Sequence, residues 1–445
     1  MDLPRGWVEV SLHSFFSVIG GGTPSTTIDS YWGESGIPWF SSADIDDNGD
    51  ISIRRYVTEH GLANSTANIA PKGSIVVVTR VGLGKVAFLR TEMCFSQDNQ
   101  ALIPLFPSLL NNRYVYYCMF NAMQTIKYSG RGTTISGITK KQLTHYSFPL
   151  PPLAEQNRIV AKIDALFSEL DKGVETLQTI RQQLRMYRQA VLKWAFEGNY
   201  INIDITDVRK LEDLCFFITK GTTPAKMEMT SNKGEIPFIK VYNLSFDGTL
   251  DFSIDPTFVN NETHNGFLAR SKVYPSDVLM NIVGPPLGKV SIVPEKYAEW
   301  NINQAIARFR CNNELNNKYL SYYLLSQKTI ETISKKSKAT AGQFNLTLEI
   351  CRNIEIPYCS LSEQERIVAE IESRLSVCDK LEQIVDENLN KAQALKQSIL
   401  KKAFAGQLVL QDPSDEPADK LLERIKAERK EDPNENRNRK RKAGV

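Results

Sequence analysis

The chain lacks any apolar run of 18 residues, which leaves no candidate for a membrane-spanning helix. It has only four histidines, His13, His60, His145 and His264, scattered without metal-ligand spacing. Its seven cysteines contain no Cys-x-x-Cys pair, which argues against both a disulfide framework and a zinc knuckle. The opening, Met1-Asp2-Leu3-Pro4-Arg5-Gly6-Trp7, has none of the basic-then-apolar layout of a signal peptide, so a cytoplasmic protein is expected. Catalytic signatures are also missing. There is no Gly-x-Ser-x-Gly elbow, no His-Glu-x-x-His helix, and no Asn/Asp-Pro-Pro-Tyr/Phe run of the kind adenine methyltransferases carry. The net charge of +3 neither requires nor excludes nucleic acid, because binding needs a basic face and not a basic average. With 445 residues, 42% hydrophobic and 24% charged, two to four soluble domains are expected.

What the chain does have is a stretch written twice. Leu153-Ala154-Glu155-Gln156-Asn157-Arg158-Ile159-Val160-Ala161 returns 208 positions later as Leu361-Ser362-Glu363-Gln364-Glu365-Arg366-Ile367-Val368-Ala369. At the same offset Asp171-Lys172 meets Asp379-Lys380, and Ala195-Phe196 and Gly198 meet Ala403-Phe404 and Gly406. A gapless comparison of 153–199 with 361–407 gives 17 identities in 47 positions, far above chance, so this is a true internal repeat.

Each copy reads as one long helix. Ile159, Ile163, Leu166, Leu170, Val174, Leu177, Leu184 and Val191 recur at spacings of three, four or seven. So do Ile367, Ile371, Leu375, Cys378, Leu381, Val385, Leu389, Ala392 and Ile399. That period is a coiled-coil seam. Neither copy contains proline, prolines precede both, and a glycine closes each. A helix of roughly 45 residues is about 65 Å long. Neither seam stays dry alone, so the two copies are expected to pair with each other.

The flanking blocks repeat more weakly. Strand-like runs in the first block are Ile37–Phe40, Gly73–Arg80, Gly84–Leu89 and Gln100–Leu105, with a helix over Asn112–Lys127. In the second block Thr223-Pro224 matches Thr23-Pro24, Ile236-Pro237-Phe238 matches Ile37-Pro38-Trp39, and Gly288-Lys289-Val290 matches Gly84-Lys85-Val86. Asn303-Gln304-Ala305 is expected to match Asn99-Gln100-Ala101, and Asn316-Asn317-Lys318-Tyr319 to match Asn111-Asn112-Arg113-Tyr114. Between these points the copies diverge almost completely, the layout of one frame carrying two different sets of loops. The tail ends in Arg437-Asn438-Arg439-Lys440-Arg441-Lys442, a solvated terminus or a nonspecific phosphate contact.

The runs Gly82-Leu83-Gly84-Lys85 and Gly284-Pro285-Pro286-Leu287-Gly288-Lys289 invite comparison with phosphate loops. Both lack the Ser or Thr that ligates magnesium, and a strand-to-strand turn explains them equally well. The candidate DNA-contacting groups are Arg54, Arg55, Arg80, Lys85, Arg131 and Thr133 in the first block. In the second they are Lys240, Asn243, Arg270, Lys289, Lys338 and Gln343. Arg, Lys, Asn and Gln pair with base edges, and Lys or Thr suit phosphates. Their recurrence in corresponding loops is what singles them out.

Two variable blocks, each followed by a helix opening Leu-x-Glu-Gln-x-Arg-Ile-Val, resemble the specificity subunit of type I restriction–modification enzymes. Supporting stretches are Gly22-Thr23-Pro24-Ser25, Pro149 to Gln156, Gln189 to Gly198, Gln397 to Leu408 and Glu416 to Arg429. The resemblance covers essentially the whole chain. It implies an α+β fold, a tandem repeat of two mixed α/β target-recognition domains. Each is followed by a long helix, and the helices pair as an antiparallel coiled coil. The implied division is 1–152 and 200–360 for the recognition domains, 153–199 and 361–408 for the helical spacers, and 409–445 for the tail. The subunit implied is non-catalytic and binds double-stranded DNA at a split, asymmetric site. On the same ground it binds no cofactor or metal itself. Two modification subunits would bring S-adenosylmethionine, and restriction subunits would bring ATP and magnesium. Candidate docking and spacer residues are Leu153, Glu155, Gln156, Arg158 and Ile159 with Leu361, Glu363, Gln364, Arg366 and Ile367. The rival classes are an enzyme binding nucleotide at the Gly-Lys loops and a coiled-coil interaction protein with no DNA role.

A rigid rod between two readers sets the gap between two half-sites. Deleting one heptad from both helices shortens it by about 10 Å, close to three base pairs at about 3.4 Å each. The unspecified gap should shrink to match; methylome sequencing that finds it unchanged excludes the ruler.

Overall fold

The computed structural model describes residues 3–129, 137–197, 207–284, 286–340 and 343–431. Among them are six helices of nine or more residues: α1 (Asn112–Ser129), α2 (Leu153–Phe196), α3 (Asn317–Leu325), α4 (Gln327–Lys336), α5 (Leu361–Phe404) and α6 (Ala418–Glu431). The duplicated stretches are α2 and α5, each 44 residues long, as the periodicity predicts. Two compact units result. One is Met1–Thr176 with Asn388–Val445, the other Leu177–Glu387, so each takes half of α2 and half of α5.

The ends of α5 show why it starts and stops where it does. Ser360 and Glu363 form a capping box: the Glu363 carboxylate accepts from Ser360 N at 2.9 Å and from its hydroxyl at 2.7 Å. At the far end Gly406 has φ +69°, a left-handed turn in which Gln407 N donates to Lys402 O at 2.8 Å. A Cβ there would lie 2.5 Å from Pro4 Cγ, so glycine is required twice over. Gly198, the matching predicted stop of α2, lies outside the described residues.

Within the first unit Ile159, Val160 and Ile163 of α2 share a core with Ile399, Leu400 and Ala403 of α5. Within the second, Val191, Leu192, Ala195 and Phe196 share one with Ile367, Val368, Ile371 and Leu375. The start of each helix thus meets the end of the other, which is antiparallel pairing. Ion pairs give the register. Lys396 and Asp171 lie 2.5 Å apart in the first unit, and Arg188 pairs with Asp379 and with Glu382 (2.8 Å) in the second. The 171–396 and 188–379 pairs are the same pair moved by the 208-residue repeat. One seam expectation fails: Leu381 is 41% exposed, with Cys378 and Val385 buried on either side of it.

The two globular parts share one topology. In the first unit a four-stranded antiparallel sheet runs Phe16–Gly20, Asn99–Pro104, Ile75–Val78, Val86–Phe88. In the second it runs Cys215–Lys220, Ile306–Cys311, Val278–Asn281, Val290–Ile292. Each has a five-stranded sheet with one parallel pairing, Ile37–Phe40 beside Met93–Phe95 and Ile236–Ile239 beside Trp300–Ile302. The all-buried run Ile75–Val78 reflects a strand covered on both faces. On one side lie Tyr114, Val115 and Met119 of α1.

The structure corrects one expected correspondence. Thr23 donates to Gln97 at 2.5 Å and Thr223 donates to Gln304, so Gln97 and not Gln100 is the counterpart of Gln304. The likeness of Asn99-Gln100-Ala101 to Asn303-Gln304-Ala305 is accidental. Backbone bonds agree: Gly21 N donates to Asn99 O as Gly221 N does to Ile306 O. A Cβ on either glycine would come within 2.2 Å of backbone oxygen.

A buried glutamine fastens each helix to its sheet. Gln156 Oε1 accepts from Asn111 N (3.0 Å) while its Nε2 donates to Pro151 O (2.9 Å). Gln364 does the same with Asn316 N (2.8 Å) and Cys359 O (2.9 Å), and also donates to Glu314 O. Replacing Gln364 by Leu strands one buried N–H and two carbonyls, and should cost about 2–4 kcal/mol. Urea unfolding of Gln364→Leu checks it; an unchanged midpoint with an unchanged slope excludes the clamp.

Candidate nucleic-acid interface

In each unit a single 3-10 turn follows the strand that pairs in parallel. Its first N–H is capped from within: Asp44 accepts from Ser41 N at 2.9 Å, and Asn243 Oδ1 accepts from Lys240 N at 2.9 Å. The Gly-Lys lysines come from behind. Lys85 Nζ donates to Ser42 O (3.3 Å) and Ile45 O (2.5 Å), and Lys289 Nζ lies 3.5 Å from Val241 O. Both ammonium groups therefore face the turn's carbonyls, closely in Lys85 and at the limit of hydrogen bonding in Lys289, which also lies over the Phe246 ring at 5.7 Å. Asn243 is 1% exposed, its amide donating to Asp251 O and Ile254 O at 3.0 and 2.8 Å. Lys85, Lys289 and Asn243 shape the turn from inside.

Other groups reach outward from it. The Arg54 side chain is 75% exposed, its Nε 3.3 Å from Asp44, and Arg55 lies over the Trp32 ring at 5.6 Å. In the second unit Lys240 stands where the first has Ser41, 3.4 Å from Asp255 and 5.5 Å from the Tyr242 ring, and Pro256 and Thr257 stand level with Arg54 and Arg55. Tyr242 donates to Asp255 at 2.5 Å. That hydrogen bond, then the Lys240 charge, holds the Asp255 carboxyl below its ordinary value. Burial alone would lower Lys240, but Tyr242 and Asp255 outweigh it and keep the ammonium above its usual range. Both groups are charged at neutral pH. One copy thus offers guanidinium groups at the turn where the other offers an ammonium, a phenol and a carboxylate.

The remaining candidates are spread out. Arg80 and Arg270 are exposed in turns. Lys338 and Gln343 lie on a hairpin, Lys338–Thr340 with Gln343–Asn345, that adds to the short strand Val283–Gly284. Arg131 and Thr133 lie outside the described residues. No group of three or more His, Cys, Asp or Glu among the described residues is placed to hold a metal ion. None of the described helices is long and apolar enough to cross a membrane.

The helix-opening residues are mostly occupied internally. Glu155 is 2% exposed and accepts from the Trp7 indole at 3.0 Å; Arg158 forms a fork on Asp415 at 3.3 and 2.6 Å. Ile159, Gln156, Gln364 and Ile367 are buried, Leu153 and Glu363 half-buried, and Leu361 and Arg366 exposed. Seam reasoning placed Leu381 inward and left out Val377 and Ile384; the three form a different stripe on α5, 41%, 55% and 51% exposed. Their spacing of four then three was the available signal, one residue out of step with the seam.

A duplicated scaffold with unlike outward groups defines a two-headed recognition protein. Residues 4–182 and 204–391 both match the family described as type I restriction modification DNA specificity domain, and the chain belongs to that family. It is a specificity subunit, not by itself an enzyme. Among relatives, the specificity subunit of the type I restriction enzyme EcoBI of Escherichia coli is 29% identical over 72% of each chain. That of EcoKI from Escherichia coli strain K12 is 24% identical over 96% of each. A solved chain described under complex assembly and conformational transition of the type I R-M system shares the fold. Its TM-score is 0.67 at 22% identity, over 92% of this chain and all of that one.

Burial pushes the Glu155 carboxyl up from its ordinary value, against the Trp7 indole and Arg158, which pull it down. The folded chain then holds this proton more tightly than the unfolded chain, so the group's contribution to stability falls as pH rises through that range. Glu155→Gln keeps an acceptor for the indole and removes the titration. Between about pH 4 and 7 the urea midpoint of the variant should gain on that of the parent; a constant difference excludes this.

Proposed function

We propose that the chain reads a split, asymmetric double-stranded DNA site, one half with residues 1–152 and the other with 200–360. Residues 153–199 and 361–408 act as the spacer, and 409–445 as the tail. The observation that carries this is the unlike set of groups beside a turn shared by both copies, Arg54 with Asp44 and Arg55 with Trp32 in one, Lys240 with Tyr242 and Asp255 in the other. A guanidinium grips guanine edges in the major groove, whereas a phenol and an ammonium flanking a carboxylate suit a different pattern. Arg80 and Arg270, with Arg131, Thr133, Lys338 and Gln343, serve as further base or phosphate contacts. Lys85, Lys289 and Asn243 act indirectly by fixing the loop.

The exposed stripe Val377–Leu381–Ile384, with Leu361 and Arg366, offers an apolar surface with one cation to two modification subunits. These bring S-adenosylmethionine and methylate adenine in the cytoplasm. Restriction subunits bring ATP hydrolysis, magnesium, translocation and cleavage.

Methylome sequencing of a host expressing the chain with its modification subunit tests the reading. Exchanging residues 1–150 for another family member's block should change one half-site only; a change in both halves removes the independence of the readers. Arg54→Ala should relax one half-site, at about 1–3 kcal/mol or roughly five- to 150-fold in discrimination, and leave the other half intact.

A further inference from the structure

Cys215 and Cys311 face each other across the antiparallel strands Cys215–Lys220 and Ile306–Cys311 of the second unit. Beside them Asn312 N donates to Leu214 O at 2.9 Å. The cysteines therefore occupy the non-hydrogen-bonded kind of position, next to a bulge that leaves Phe216 unmatched before Phe217 pairs with Arg310; in a regular ladder such opposed Cα atoms lie about 4.5 Å apart. A disulfide needs about 4.4–6.8 Å. Both thiols are free, and they share a hydrogen bond. Cys215 is buried at 8% exposure, whereas Cys311 is half-buried. Cys311 also lines an open groove of about 510 Å³ with Asp277, Arg310 and Asn312. Among the described residues no other two cysteines are opposed across strands, and the first unit closes the matching strands with Phe16 opposite Pro104.

We propose that Cys215 and Cys311 form a thiol–disulfide site in the second unit, oxidised by a neutral low-molecular-weight disulfide entering the groove. The groove's charges, Asp277 and Arg310, are matched to each other through bonds of 2.7 and 2.6 Å, so they leave no free charge to draw an ionic reagent. Cys311 gives up its proton and attacks one sulfur of the reagent, releasing half of it as a thiolate that takes up the proton. Cys215 then gives up its proton and attacks the Cys311 sulfur of the mixed disulfide, releasing the second half in the same way. Two protein thiols are oxidised and one small disulfide is reduced to two thiols. The hydrogen bond with Cys215 and burial push the Cys311 thiol far above its ordinary value, so the thiolate is scarce at neutral pH and the reaction quickens as pH rises. The bond would close the stretch from 215 to 311, somewhat under half of the second unit's sequence, into a loop and so restrict its unfolded chain.

Incubating the full chain with 2-hydroxyethyl disulfide, then digesting it without reductant, should yield a peptide joining Cys215 to Cys311. The intact mass should fall by two hydrogen atoms, dithiothreitol should reverse this, and the thermal midpoint should rise by about 5 °C. Cys215→Ser should instead stop at a mixed disulfide on Cys311. A chain that stays folded yet gives no 215–311 peptide overturns the site, as does cross-linking that survives in Cys311→Ser. The wild-type peptide map decides the matter even where a variant fails to fold.

Discussion

An amphipathic helix of 44 residues carries an apolar seam that water will not tolerate for its whole length, and everything else in this chain follows from how that seam is covered. The chain makes the helix twice and lays the copies antiparallel. Three ion pairs, 171 with 396, 188 with 379 and 181 with 386, have residue numbers that all add to 567, as a constant antiparallel register demands. Such exposed pairs add little stability, and their value lies in excluding slipped registers. Because duplication supplies Asp171 and Asp379 at one offset and Arg188 and Lys396 at the same offset, one set of charges serves both halves of the pairing.

The same economy governs the globular parts. Gln156 and Gln364 are buried amides whose donor and acceptor ends both meet backbone, which fixes where a helix leaves its sheet. Tyr114 and Tyr319 repeat the pattern, each donating to a proline carbonyl at 2.8 Å just before the helix. With the exit so fixed, the groups beside the turn, Arg54 in one copy and Lys240 in the other, are free to differ. The copies differ inside as well, Asn243 for Asp44 and Cys215 with Cys311 for Phe16 with Pro104, but the differing groups that point outward beside this turn are Arg54, Lys240 and Tyr242.

Much of the fold was legible because it obeys simple periods. The helices followed from three-four spacing and the core strands from β-branched runs such as Ile75–Val78, whose alternation is lost because both faces are covered. The repeat was visible in Glu-Gln-x-Arg-Ile-Val, but its purpose was not. Gln156 and Gln364 looked like groups for a partner, and only tertiary structure shows the backbone atoms they hold. Lys85 and Lys289 were similarly opaque, since a lysine beside a glycine carries no sign of whether a phosphate or a carbonyl awaits it. The Gln97–Gln304 equivalence was hidden by a chance tripeptide, which only hydrogen-bond partners can unmask. Arg54 and Arg55 were legible as outward groups because charged side chains beside a turn rarely find burial.

The second unit is a single contiguous run, Leu177–Glu387, whereas the first needs residues from both ends of the chain. Ala418 N donates to Gly6 O at 3.0 Å, and Leu421 and Ile425 complete the core that contains Trp7. One core of the first unit is therefore complete only when the carboxy-terminal helix is in place, whereas every residue of the second unit precedes that helix in the chain. A chain cut before Ala418 would keep the whole of the second unit and leave the core around Trp7 without Leu421 and Ile425. The two ends of the chain are thus joint owners of one core, and trimming either uncovers it.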